Sequence, residues 1–399
     1  MTPSEASGLP NLGKAVDALE EELIAFRRDL HAHPELGHAE ARTTTCVASR
    51  LTAAGIRLRL LTGTGLIADI GPGDPAYRVA LRADMDALPV TERTGLPFAS
   101  ASSGVCHACG HDVHVAAVLG AGLALQRQAD SLAARGLGVR LIFQPAEEVT
   151  PGGSLAVIDQ GGIKDVDAIF SIHCDPTLDV GRVGLRDGAI TSATDSVTIT
   201  LAGHGGHTSR PHLTQDLIYA LGKVITDLPA ALSRRVDPRA GVALVWGTAH
   251  SGGAENVIPA TGTVTGTLRM LVAQLWEDIG PLLEELVHAV VRPYAVSATI
   301  EHRRGAPPVV NDRVSVARLR AAAELMLGPA APTPTAQSLG GEDFAWYVKA
   351  VPGAMARLGT RTPGGPTYDL HQGDLVVDER AVAMGARLLL GAAMAQTTH

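Results

Sequence analysis

The chain has 399 residues, 46% hydrophobic and 19% charged, with a formal net charge of −8 and a pI near 6.0. That apolar content over that length excludes a disordered chain and supports more than one packed core. The acidic balance and the 3% aromatic content supply neither the basic footprint nor the stacking platforms of a nucleic-acid binder, so no nucleic-acid partner is expected.

The opening stretch MTPSEASGLPNLGKAVDALEEEL is acidic and lacks the apolar region of a signal peptide. No run of 18 apolar residues is present, so no membrane span is expected. A cytoplasmic setting follows, with Cys46, Cys106, Cys109 and Cys174 as reduced thiols. Leu19, Leu23, Phe26 and Leu30 recur at helical spacing and predict a helix over 14–32, stopped by Pro34. A second helix is expected over 39–54, ending at Gly55. RLRLL, TGLIADI and YRVALRA read as strands, 112–128 as a long apolar helix, and GVRLIFQ and DAIFSIHC as further strands. This alternation predicts an α/β domain whose mostly parallel sheet is flanked by helices.

The pattern changes near residue 188. DSVTITLAGHGGH alternates with period two through Val197, Ile199 and Leu201. A helix over 215–234, strands in GVALVWGTAHSG and ATGTVTGTLRML, a helix over 273–291 and a strand in SATIEHRRG follow. The order β-α-β-β-α-β is that of a ferredoxin-like α+β domain. After GAPPVVND the α/β character returns. The expected organisation is one α/β domain from 1–187 and 304–399, with the ferredoxin-like domain inserted at 188–303.

Residues able to hold a metal or a proton fall in polar turns after strand-like runs, where sites form in open α/β sheets. LRADMDALP places Asp84 and Asp86 at a strand end, as turn formers before Pro89 or as carboxylates of a site. CHACGHDVH, residues 106–114, admits three readings. A redox CxxC would use Cys106 and Cys109. A structural zinc site needs four ligands, usually two close pairs, yet Cys46 and Cys174 are isolated. A catalytic metal site would use Cys109 and His111 on either side of Gly110. LIFQPAEEVTPGG contributes Glu147 and Glu148; on extended backbone they point apart, so one could bind metal and the other act as a base. FSIHCDP and YDLHQGD add His173 and His371, both read as strand-end positions. One Cys, three His and a Glu pair carry more weight together than singly. The inserted domain adds GHGGHTSRPH with His204, His207 and His212, NVIP with Asn256, and GTLR with Arg269. A His in a Gly-rich turn suits an oxyanion, and an Arg on a strand suits a carboxylate, although a solvated strand-end Arg is the plainer reading.

With LHAHPELGHAEARTT, GGEDFAWY and LHQGD, these motifs run in order nearly end to end. Together they resemble the metal-dependent amidohydrolase branch of the aminoacylase/carboxypeptidase superfamily, which includes hippurate hydrolase, auxin-conjugate hydrolases and N-acetyl-diaminopimelate deacetylase. The resemblance implies that Cys109, His111, Glu148, His173 and His371 hold one or two divalent ions, Zn, Mn, Co or Ni. It implies Glu147 as general acid/base, and His207 as a lid histidine that in relatives reaches the neighbouring subunit's site. Asn256 and Arg269 match substrate-binding positions of the same lid, and Asp84 and Asp86 would orient the ligands. The first domain would be catalytic and the inserted one a lid that dimerises, giving a homodimer or a dimer-based oligomer. The implied reaction is hydrolysis of the amide bond of a small-molecule N-acyl amino acid to a carboxylic acid and an amino acid. Three positions depart from the pattern: Gln372-Gly373 where relatives commonly carry Ser-Pro, Val115 where many carry Thr, and Cys106. Three rivals remain at this level, one of them a metal-storing or ligand-binding protein that has lost catalysis, against which the intact Glu147 speaks. A dipeptidase or aminopeptidase on this scaffold usually opens its ligand set with His-x-Asp, where this chain has Asp84-Met85-Asp86. A CxxC redox protein would require Cys106.

Overall fold

The computed structural model describes residues 13–395. It divides into two compact units. One comprises Met1–Ile190, Val310–Ala336 and Asp343–His399; the other comprises Thr191–Val309 and a short return, Gln337–Glu342.

The first unit is built on an eight-stranded sheet. Its order is β1 (Arg57–Leu60), β2 (Leu66–Ile70), β4 (Leu137–Gln144), β3 (Tyr77–Asp84), β5 (Ala168–Asp179), β16 (Gly353–Arg361), β6 (Val183–Leu185) and β15 (Pro332–Pro334). The central run β4-β3-β5-β16 is parallel, as the alternation of apolar runs and helices predicts. Antiparallel pairs flank it, at β1–β2, β2–β4 and β16–β6. The β1–β2 link is a hairpin, far too short for the crossover that a parallel pair needs. A further short ladder pairs β7 (Gly188–Ala189) with β14 (Val310–Asn311).

One sheet face packs on the helices His111–Gln126, Arg313–Leu327 and Arg380–Met394, and Glu20–Ala32 packs on the first and last of these. Into that core the central strands send Leu81 and Ala83, Leu141 and Phe143, Phe170 and Ile172, and Ala356 and Leu358. Strand alternation therefore turns Arg82, Gln144, His173 and Arg357 to the opposite face. Helix His111–Gln126 is buried over 15 of its 16 residues, so it is apolar all round rather than amphipathic. Each fully buried Val or Leu in it contributes about 1.5–3 kcal/mol. This packing fixes the helix start, which carries His111.

The second unit is a four-stranded antiparallel sheet in the order β10 (Ala243–Ser251), β12 (Thr261–Met270), β8 (Ala193–Ala202) and β13 (Ser297–Arg303). Helices Leu217–Arg235 and Ala273–Val291 complete the β-α-β-β-α-β order, with the first and third strands central. Val197, Ile199 and Leu201 are fully buried, which is the period-two signal read from the sequence. Asp216 caps the first helix by accepting from the Tyr219 N–H at 3.1 Å. Beyond the sheet, β9 (Gly206–His207) pairs with β11 (Val257–Ile258). Among the described residues no helix is long and apolar enough to cross a membrane.

Candidate metal centre

The site forms where the polar face of the central strands meets the start of helix His111–Gln126. The parallel β3–β5 ladder ends at the Arg82–Ser171 rung, and His173 lies just past it although β5 itself continues. Gly110 caps the helix in a left-handed conformation (φ +84°). A Cβ there would also lie 2.8 Å from Cys174 Sγ, so glycine alone fits. This turn presents Cys109 and His111 together. His371 is not at a strand end: it sits in the loop before helix Arg380–Met394, left-handed at φ +62°, with its N–H on the Ala108 carbonyl at 2.8 Å.

These residues converge. Cys109 Sγ lies 3.5 Å from His173 Nε2. His371 Nε2 lies 3.2 Å from Glu148 Oε1, and His111 Nε2 lies 3.9 Å from the same oxygen. The potential ligand atoms of Cys109, His111 and His173 all fall within 4.8 Å of one another, as do those of Cys109, Glu148 and His371. One thiol is thus common to two triads.

The imidazoles are oriented for ligation. His111 Nδ1 is 2.8 Å from the Asp86 carbonyl, and His173 Nδ1 is 2.9 Å from the Cys174 carbonyl. A carbonyl only accepts, so each Nδ1 carries the proton and each Nε2 keeps its lone pair for the site. Buried His111 Nε2 and Glu148 Oε1 make no hydrogen bond. Unsatisfied buried atoms of this kind, next to a thiol, call for a cation. Burial pushes the Cys109 thiol well above its usual range, so only a neighbouring positive charge would ionise it. Burial opposes charge on His111 too, yet Asp84, Cys109 and Asp86 outweigh it and raise the imidazole strongly. The donor set fits a divalent ion of the kind inferred from the sequence.

Glu147 and Glu148 do not diverge as an extended backbone would make them. Ala146 takes a left-handed turn (φ +56°), and both carboxylates come within 4.8 Å of His111. The Asp86 carboxylate sets this loop: Oδ1 accepts from the Glu147 N–H at 3.0 Å and Oδ2 from the Glu148 N–H at 2.9 Å. Asp84 instead accepts from Arg82 at 2.5 Å and lies 2.6 Å from His114 Nδ1. Asp343 accepts from Arg82 and Gln144, both at 2.8 Å, and its own N–H reaches Glu147 Oε1 at 3.4 Å. Arg82, His114, Gln144 and Asp343 were not picked from the sequence. The available signal was Arg82 and Asp84 inside an otherwise apolar strand.

In the second unit, His207 and Asn256 are exposed and come together: Val257 pairs with His207, and the Thr208 N–H donates to the Asn256 carbonyl at 3.2 Å. His207 Nδ1 accepts from the Ser209 N–H at 3.1 Å, which leaves Nε2–H as a free-facing donor. Arg269 is not brought to them. It pairs with Thr194 near the far end of β12 and donates to the Thr194 hydroxyl at 3.1 Å and to the Leu339 carbonyl. Eight residues of strand separate it from Thr261, about 27 Å at roughly 3.4 Å per residue.

Cys106 stands apart. It belongs to no potential ligand group among the described residues, and it is 2% exposed. Burial, with Glu92 and Asp112 nearby, pushes its thiol up to about 11. A redox cysteine needs a lowered pKa and access, so the CxxC reading loses its physical basis.

The family described as Peptidase family M20/M25/M40 matches residues 80–395. The N-acetyl-L-cysteine deacetylase of Bacillus subtilis (strain 168) is 36% identical over 391 residues, covering 98% of this chain and 90% of that protein. A Rhodococcus jostii (strain RHA1) protein with the provisional name glutamate–cysteine ligase 2-3 is 46% identical over 93% of this chain, which spans only 46% of that longer protein. Among solved structures, the Bacillus subtilis YXEP protein, described as a dinuclear metal binding peptidase from the M20 family, superposes with a TM-score of 0.83 at 30% identity, over 95% of this chain and 98% of that one. The chain belongs to peptidase family M20/M25/M40.

Proposed function

We propose that the protein is a metal-dependent amidohydrolase that cleaves N-acyl amino acids into a carboxylic acid and an amino acid. The observation that carries this reading is the buried His111 Nε2, which makes no hydrogen bond and faces Glu148 Oε1 at 3.9 Å, around the Cys109 thiol with Glu147 beside them. Cys109, His111, Glu148, His173 and His371 would hold one or two divalent ions, Zn, Mn, Co or Ni. A bound ion supplies Lewis acidity and makes water nucleophilic near neutral pH. Glu147, held by Asp86 and facing the Asp343 N–H, takes the proton of the attacking water and delivers it to the leaving nitrogen. The His207 Nε2–H donates to the oxyanion of the tetrahedral species. Arg269 and Asn256 hold the amino acid's α-carboxylate. The names of relatives, an N-acetyl-L-cysteine deacetylase among them, support this substrate class. Four free cysteines suit a reducing, cytoplasmic setting.

Metal analysis of the purified protein, followed by a panel of N-acetyl, N-benzoyl and N-succinyl amino acids, tests the reading. Stoichiometric divalent metal and hydrolysis of at least one series are expected. Preferential cleavage of free dipeptides would favour the peptidase alternative instead.

The separation of Arg269 from His207 and Asn256 favours a site shared between two copies. β10 is a sheet edge, with Val245 60% exposed, and an open edge of this kind invites a second chain. Mixing His207→Ala chains with Glu147→Gln chains should therefore restore part of the activity that each variant alone lacks. Absence of any rescue in confirmed mixed dimers would show that each chain is self-sufficient.

A further inference from the structure

Six arginine side chains are buried among the described residues. Five are held by partners. Arg27 pairs with Asp112, Arg82 with Asp84 and Asp343, and Arg140 with Asp69; Arg78 and Arg318 donate to carbonyl or hydroxyl oxygens. Arg357 is the exception. It is 8% exposed, and among the described residues its guanidinium makes no hydrogen bond, ion pair or ring contact.

Its place in the sheet is specific. On β16, Arg357 is in parallel register with His173 on one side and in antiparallel register with Gly184 on the other. Side chains in register share a face, so Arg357 stands one strand, about 4.8 Å, from His173 on the face that carries the metal centre. Gly184 lets the strands pack closely on that flank: a Cβ there would lie 3.0 Å from Arg357 Cβ and 2.8 Å from Thr335 Cβ.

Most of the Arg357 side chain is buried, yet none of its nitrogens is among the fully buried atoms that lack a partner, so its N–H groups stay open to an anion; unpaired charged groups of this kind cluster at functional sites. The α-carboxylate of an N-acyl amino acid is already assigned to Arg269 and Asn256. We propose that Arg357 anchors a second carboxylate of the substrate beside the metal centre, so that the preferred substrates are N-acyl amino acids carrying two carboxylates. That carboxylate could come from a dicarboxylic acyl group or from an acidic side chain; the chemistry Arg357 recognises is the same, a planar anion for its forked N–H groups. The inference rests on the hydrolase reading and adds the substrate class to it.

The test compares wild type with Arg357→Met, a near-isosteric apolar replacement, in the metal-loaded protein. The substrates are N-succinyl-L-methionine, N-acetyl-L-glutamate and N-acetyl-L-methionine, the last with no second carboxylate and serving as reference. The kcat/KM of at least one dicarboxylate relative to the reference should fall about 10- to 100-fold, the range for losing a charge-assisted hydrogen-bonded pair. Which of the two falls identifies the acyl or the side-chain source. An unchanged ratio for both overturns the proposal. Calorimetric binding of the same three compounds in a Glu147→Gln background gives a readout without turnover. There, Arg357→Met should erase the preference for the dicarboxylate. If wild type turns over none of the three while that preference and its loss persist, the hydrolase reading fails and the Arg357 assignment stands. The thermal midpoint of Arg357→Met without ligand should match or exceed wild type, because an uncompensated charge is removed. A clear drop would make Arg357 a structural residue and overturn the proposal.

Discussion

Replacing Glu147 with glutamine is expected to abolish hydrolysis while leaving metal content and folding intact. Glutamine keeps the side-chain shape and an oxygen for the Asp343 N–H. The Asp86 contact uses the backbone N–H of residue 147, which the substitution does not touch. The proton acceptor is what disappears. General acid–base groups typically contribute about 10²–10⁴-fold, so kcat should fall by at least that range. Glu147 lies outside both triads that share Cys109, and glutamine keeps an oxygen where Glu147 groups with His111 and Glu148, so the bound metal should stay near the wild-type stoichiometry. Steady-state rates, metal analysis and a thermal melt on one preparation separate these quantities. Turnover close to wild type would remove Glu147 from the mechanism.

The second large effect separates two cysteines three residues apart. Cys109→Ala removes one donor from two triads at once, so bound metal should drop sharply and activity should fall by more than about 100-fold, a loss seen even when groups that merely support a ligand are removed. Cys106→Ser should keep metal and activity close to wild type, because Cys106 touches no ligand group among the described residues. Parallel metal analysis and rate measurements on both variants decide the matter. An inactive Cys106→Ser protein with full metal content would revive the redox reading.

Much of the fold was legible because its signals are local. Period-two alternation over Val197, Ile199 and Leu201 and the helical spacing around it specify β-α-β-β-α-β without any tertiary information. The apolar-rich runs of β3 and β4, broken by arginines and ending on a polar residue, marked the parallel centre. The antiparallel flanks were less visible, because a four-residue strand such as β1 looks the same in either direction. The return at Gln337–Glu342 carries no apolar period at all. At the site, the residue types were readable and the geometry was not. Left-handed backbone at Ala146 and His371 cannot be seen in residues that ordinarily avoid it. The links from Arg82 to Asp343 and from His114 to Asp84 join residues far apart in the chain, and only the folded sheet brings them together. Arg357 sat unremarked in GAMARLGTR because a strand arginine reads as solvated until its burial is known.

The Asp86 clamp has a consequence for how this protein could change over time. Asp86 grips main-chain amides at 147 and 148, and every residue except proline carries such an amide. The shape of the loop is therefore indifferent to which side chains it displays. Position 147 could be re-armed with another acid, base or nucleophile while its aim toward His111 is preserved. Position 86 has no such latitude, since two amides and one carboxylate form a single knot. Chemical novelty in this scaffold should accumulate on the displayed side chains, and Asp86 should be the last residue to vary.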